Sequence, residues 1–247
     1  GFTETMSYSF VSGQSIKKLG FDPEKSFRVA NPLADDRVYL RPFSSGSLFE
    51  IVAMNQSERD LMHIFELTRV FRPGRSVLPD ELLRLVGVVM SSEPFREAKG
   101  AVEFLLMHMG ISHKEIVFSP YEKNDDTPWA NIGKSITLRV RGALVGSVVT
   151  PTEKALRDFD IKKPIALFRV RFQELQQLLV GNLIADEMVR FHFLVVFQYI
   201  GTGIRFKDVL VTGNEEARCT TRRIAEPVAD LRIDQLHHHA DNVAGRA

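Results

Sequence analysis

The chain predicts an α+β fold, a mainly antiparallel sheet flanked by helices. Three observations predict it. Several runs alternate polar and apolar residues, the period of a half-buried strand. Ser135 to Val140 and Ala143 to Val149 flank Arg141-Gly142, which reads as a hairpin. Phe95 to Met109 repeats apolar residues at three- and four-residue steps, so it reads as a helix. Hairpins and helices are segregated along the chain, which favours antiparallel pairing.

Glu4 to Val11 sets Thr5, Ser7 and Ser9 against Met6, Tyr8 and Phe10, a strand period. Ser12 is placed to cap a short helix through Leu19, and Gly20 ends it. Phe27 to Ala30 reads as a short strand that Asn31-Pro32 breaks. Leu48 to Asn55 reads as a helix with Leu48, Ile51 and Val52 on one face. His63 to Phe71 fits a strand covered on both faces, and Arg72-Pro73-Gly74 a turn. Leu82 to Met90 is a Val-rich strand.

In the Phe95–Met109 helix, Ala98, Val102, Leu105, Leu106 and Met109 share a face, and Gly110 caps the end. Ile116 to Tyr121 is a strand candidate, and Asp125-Asp126-Thr127-Pro128 is loop. Thr152 to Phe159 is a short helix with Pro151 expected in its first turn. Ile165 to Phe172 alternates Ala166, Phe168, Val170 and Phe172, a strand. Composition changes near Leu179, and Thr212 to Ala247 turns polar and Arg-rich, so weak order is expected there. The expected organisation is a core domain over 1–178 and a divergent or truncated segment over 179–247, partly disordered after about 212.

A chain of 247 residues accommodates one large domain or two smaller ones. Its formal net charge of +1 argues against nucleic-acid binding by overall charge. Cys219 is the sole cysteine, which excludes an internal disulfide and a paired-cysteine zinc site and suits a reducing cytosol. No signal peptide is visible at Gly1-Phe2-Thr3-Glu4, and the missing initiator Met suggests a fragment. Phe191 to Ile200 is too short to cross a bilayer. The expectation is a cytoplasmic protein with no membrane partner.

Candidate chemistry is thin. Glu66 and Arg69 read as a solvated ion pair. His63 and His108 lie on apolar elements and read as core or interface histidines, with no carboxylate partner placed by spacing; His113 reads as exposed. Gly133-Lys134-Ser135 mimics the end of a phosphate-binding loop, but Pro128 stands where its first Gly would be. Asp125-Asp126 lacks the Gly and distal Glu of a calcium loop. His237 to His239 reads as part of a polar tail. Trp129 and most of the 18 phenylalanines read as core, with some left to meet a partner subunit. The expected site residues are therefore none: no catalytic, cofactor-binding or metal-ligating side chain.

Several blocks stand in a telling order. They are Glu4-Thr5-Met6-Ser7-Tyr8-Ser9-Phe10-Val11-Ser12, Val29 to Asp36 with Asn31-Pro32-Leu33, Tyr39-Leu40-Arg41-Pro42, and His63 to Phe71. Leu78-Pro79-Asp80-Glu81, Phe95-Arg96-Glu97-Ala98-Lys99-Gly100 and Gly142 to Phe172 follow. Together they resemble the core of the beta subunit of phenylalanine–tRNA ligase. Two loops depart from that family: Ala130 to Ser135 lacks a His-Pro-Gly-Arg-Ser-like segment, and Pro42-Phe43-Ser44-Ser45-Gly46 is poor in Leu. Met188 to Leu210 resembles a faint start of the family's ferredoxin-like anticodon-binding domain, and the polar tail reads as a degenerate or out-of-frame ending.

The resemblance implies a class II aminoacyl-tRNA synthetase-like core without catalysis. A working site of that class needs arginines on the ATP phosphates, where charge develops. In Ile64-Phe65-Glu66-Leu67-Thr68-Arg69 the Glu and Arg stand in the wrong order, and Gly201-Thr202-Gly203-Ile204-Arg205 is one residue short. The resemblance also implies a scaffold for the catalytic alpha subunit in a four-chain assembly. ATP, Mg²⁺ and phenylalanine would bind the alpha subunit, none of them this chain, and tRNA would be met through the whole assembly. The alternatives are a free-standing, non-enzymatic binding module from the same core, in a homodimer, and, ranked last, an unrelated α+β hydrolase or transferase.

Overall fold

A computed structural model describes residues 1–180, without 33, 75–77 and 123–126. The elements are β1 (Thr3–Glu4), β2 (Phe10–Val11), α1 (Gly13–Lys18), β3 (Tyr39–Leu40), α2 (Ser45–Asn55), β4 (Met62–Arg72) and β5 (Asp80–Met90). Then come α3 (Pro94–His108), β6 (Ile116–Pro120), β7 (Ile136–Val140), β8 (Ala143–Val149), α4 (Glu153–Asp158), β9 (Ile165–Arg171) and α5 (Phe172–Val180). Among the described residues, seven strands form one sheet in the order β1-β4-β5-β9-β8-β7-β6. Every pairing is antiparallel except β1 with β4. The expected α+β class with a mainly antiparallel, helix-flanked sheet stands.

Alternation along the strands divides the core between two faces. On β4, β5 and β9, Phe65, Leu85, Val89, Ala166, Phe168 and Val170 join α3 and α5 in one cluster. Their neighbours Met62, Ile64, Val86, Val88, Met90 and Leu167 join α2 and α4 in another. Covering both faces explains why the second half of β5 reads as an unbroken apolar run. Helix α2 contributes Leu48, Phe49, Ile51 and Val52, all buried. Trp129 meets Phe49 edge-on, 5.2 Å between centroids, as the core reading of this residue expected.

Three helix ends share one device. The chain leaves α1, α3 and α4 through a left-handed residue, Gly20, Gly110 and Asp160 respectively. The next amide in each case reaches back five residues: Phe21 to the Ile16 carbonyl, Ile111 to Leu106 and Ile161 to Leu156. This is the Schellman closure, with its apolar pair. At the β7–β8 turn, Arg141 and Gly142 both have positive φ, as a two-residue hairpin requires.

The structure corrects several local expectations. Glu4 to Val11 is not one strand: β1 pairs with β4, while β2 pairs with β3 in a separate two-stranded sheet. Between them, the Thr5 amide still donates to the Phe65 carbonyl, and side-chain hydrogen bonds from Thr5 and to Ser7 replace a continued ladder. Phe27 to Ala30 makes only an isolated bridge, Arg28 to Tyr39. Thr152, not Pro151, opens α4: its hydroxyl accepts from the Ala155 amide, and Pro151 bridges Ala130 instead. Phe172 starts α5 rather than ending a strand.

Candidate functional site

The β5–β9 register builds an arginine-lined cleft on one side of the sheet. Arg84 and Arg171 are directly paired residues, and Arg169 lies two residues from Arg171 on the same face. Arg169 and Ser147 are paired across β9 and β8. With Arg72 at the end of β4, these side chains line a cleft of about 150 Å³. Its other walls include Ser44, Phe43 and Tyr121. The apolar alternation that fills the face nearer Met90 and Leu167 thus turns basic toward the cleft.

Neighbours hold these cations in place. Arg84 Nη1 donates to Glu174 at 3.3 Å, and Arg171 lies 4.0 Å from the same carboxylate. The Arg72 guanidinium stacks over Phe43, 4.9 Å from the ring centroid. Among the described residues, Glu122 is the only acidic side chain lining the cleft. Arg139 grips it with two bonds of 2.9 and 3.0 Å. The Glu122 amide donates to Thr137 Oγ1, which fixes this wall to β7. The start of α2 lies at the rim: Ser44 is buried, and its side chain makes no capping bond.

Beside the cleft sits a buried polar knot. Glu66 and Thr68 follow Met62 and Ile64 at the two-residue period of β4. Arg41 Nη1 donates to Glu66 Oε1 at 3.0 Å, with both side chains nearly inaccessible. Arg41 Nε donates to the Arg69 carbonyl at 3.0 Å, and Nη2 donates to Thr68 Oγ1. Ser7 donates its amide and hydroxyl to Glu66 and accepts from Arg41. Charge pairing and satisfied lone pairs make this burial tolerable. The solvated Glu66–Arg69 pair is thereby corrected: Arg69 pairs instead with exposed Glu81 at 2.6 Å. Glu4 is exposed at its surface, yet the protein packed around its carboxyl displaces water, and this desolvation, then the Glu66 charge, raise that carboxyl above its ordinary value of 4.5.

The histidines are also relocated. His63 does have a carboxylate partner, Glu97 of α3, at 2.8 Å, and Phe2 stacks on its ring. That partner lies 34 residues away, so spacing did not reveal it. His108 is exposed rather than core, its Nδ1 at 2.9 Å from the Phe104 carbonyl. His113 is exposed, as expected. Ser135 donates to the Asn131 carbonyl and accepts from the Thr150 amide, closing the turn at Ile132–Lys134. Asp125-Asp126, Gly201 to Arg205, Cys219 and His237 to His239 lie outside the described residues. Among the described residues, no group of three metal-ligating side chains occurs, and no helix is long and apolar enough to cross a membrane.

Arg72, Arg84, Arg169 and Arg171 lie outside the two short motifs at which arginines are expected. A usable signal was present: Arg169 and Arg171 continue the alternation of Ile165 and Leu167. A strand face that changes from apolar to basic half-way along marks where its cover ends.

A family profile described as "Phenylalanyl tRNA synthetase beta chain CLM domain" matches residues 1–172. Among curated proteins, the phenylalanine–tRNA ligase beta subunit of Syntrophotalea carbinolica is 28% identical over 193 residues, covering 71% of this chain and 23% of that protein. The beta subunit from Desulfotalea psychrophila is 27% identical over 200 residues, covering 71% and 24%. The chain thus spans about a quarter of the length of these relatives. Among solved structures, a pyrrolysyl tRNA synthetase chain from Desulfitobacterium hafniense aligns with a TM-score of 0.59 at 16% identity, covering 73% of this chain and 64% of that one. The likeness to that structure is one of fold.

Proposed function

The chain belongs to the phenylalanyl-tRNA synthetase beta chain CLM domain family, and from that premise we propose that it serves as a non-catalytic platform for a catalytic alpha subunit. In this reading the alpha subunit binds ATP, Mg²⁺ and phenylalanine and charges tRNA in a cytoplasmic four-chain assembly. This chain contributes surface and rigidity, and none of its side chains takes part in bond making.

The family match over residues 1–172 carries the proposal. The fold supports it in two ways. The sheet is covered on both faces by its own helices, so the core needs no partner to fill it. Large apolar side chains nevertheless remain outside: Met6, Leu61, Leu78, Phe104 and Met107 are all exposed. Such surface suits a partner contact. The test is mass measurement by size-exclusion chromatography with light scattering, with the alpha subunit absent and present. Co-elution at a combined mass is expected. Separate elution of the two proteins at micromolar concentration would reject the platform role, and a self-associated chain would favour the homodimeric binding module.

A further inference from the structure

We infer that the arginine-lined cleft is a binding site for a small phosphate-type oxyanion, either free or at the end of a larger molecule. Four arginines from three strands line one concavity: Arg72, Arg84, Arg169 and Arg171. Arg84 and Arg171 stand directly opposite each other, with Arg169 diagonal to Arg84 on the same face. Like charges in direct cross-strand register repel. Glu174, between Arg84 and Arg171, offsets part of that repulsion. These arginines have neighbouring groups, so the inference rests on four of them lining one cleft rather than on unmet valence. Planar guanidinium forks match the oxygens of a phosphoryl group.

The remaining walls fit the same ligand class. Hydroxyl groups of Ser44, Thr137 and Ser147 belong to lining residues, and the N-terminal end of α2 lies at the rim. A helix start adds positive potential to such a site. Phe43 is fixed beneath Arg72 and stacks on Phe21 at 3.7 Å, which stiffens that side. A volume of about 150 Å³ falls well below the roughly 300–1,000 Å³ of sites that enclose a whole organic ligand. The cleft therefore takes the oxyanion itself, and any larger body stays outside. The inference is independent of assembly with an alpha subunit.

The test is isothermal titration of the full 247-residue chain at low ionic strength with inorganic phosphate, pyrophosphate and AMP. Saturable one-site binding by at least one of them is expected. Equal binding of phosphate and AMP assigns the site to the free oxyanion, and tighter AMP binding assigns it to a nucleotide-borne one. Arg169→Gln and Arg171→Gln are each expected to weaken binding roughly tenfold, as loss of a charge-assisted hydrogen bond does. Arg157→Gln, at an exposed position of α4, is expected to leave it unchanged. Ser147→Asp keeps every arginine and sets a carboxylate in the cleft, so it serves if an arginine variant fails to fold; loss of binding is expected. No saturable binding of any of the three anions, or binding undiminished in the folded variants, would overturn the inference.

Discussion

At the residue scale, Arg41 and Glu66 decide how the N-terminal segment is held. Ser7 and Arg41 reach Glu66 from chain segments that lie 59 and 25 residues away from it. Breaking a buried, hydrogen-bonded pair on one side leaves the other charge uncompensated, at about 3–5 kcal/mol. Arg41→Ala is therefore expected to lower stability to urea by about that amount, whereas Arg69→Ala, losing an exposed pair with Glu81, is expected to cost under about 1 kcal/mol. Equal losses in chemical denaturation would contradict the knot. Glu4 gives a pH test. Its folded pKa is raised, so the folded state holds the proton more tightly than the unfolded chain. Stability from this group is fully present below 4.5 and falls as pH rises through the raised value. Glu4→Gln is thus expected to raise Tm at pH 7 and to leave it unchanged near pH 4. A Tm gain of the same size at both pH values would remove Glu4 ionisation as its cause.

At the element scale, strand register is the organising quantity. Gly87 faces Phe168 across β5 and β9, and a methyl at Gly87 would overlap the Phe168 ring. Gly87→Ala is expected to destabilise by about 1–3 kcal/mol through overpacking, with loss of Tm as the measurement. A neutral result would mean that the ring does not cover the glycine. The long strands, α3 and the Arg141-Gly142 hairpin were legible in the sequence because each is encoded by period and turn residues within its own length. The helix ends at Gly20 and Gly110 were legible for the same reason; the α4 end at Phe159 was also read, but its left-handed closure falls on Asp160, a rarer residue there than Gly. The illegible parts depend on partners far along the chain. The two-residue strands β1 and β2 are too short to show a period, and their pairing lies with β4 and β3. His63 with Glu97 and the cross-strand arginines appear only once register is known.

At the scale of the whole molecule, order of motifs carried more information than any single motif. Alternation alone gave an α+β sheet. The succession from Glu4-Thr5-Met6-Ser7 through Asn31-Pro32 and Arg41-Pro42 to the hairpin region gave the family, which the profile match over residues 1–172 bears out. The same succession places Ser7 and Arg41 beside Glu66, so part of the resemblance is a buried polar network. A sheet stabilised in this way, with cover on both faces and apolar side chains left outside, suits a partner that needs a stiff surface to bind. Charging of tRNA by an alpha subunit, measured with and without the polypeptide bearing this sequence, tests the platform role most directly. The account predicts that phenylalanine attachment is lost when that polypeptide is withheld and returns when it is restored. Undiminished attachment by the alpha subunit alone would contradict it.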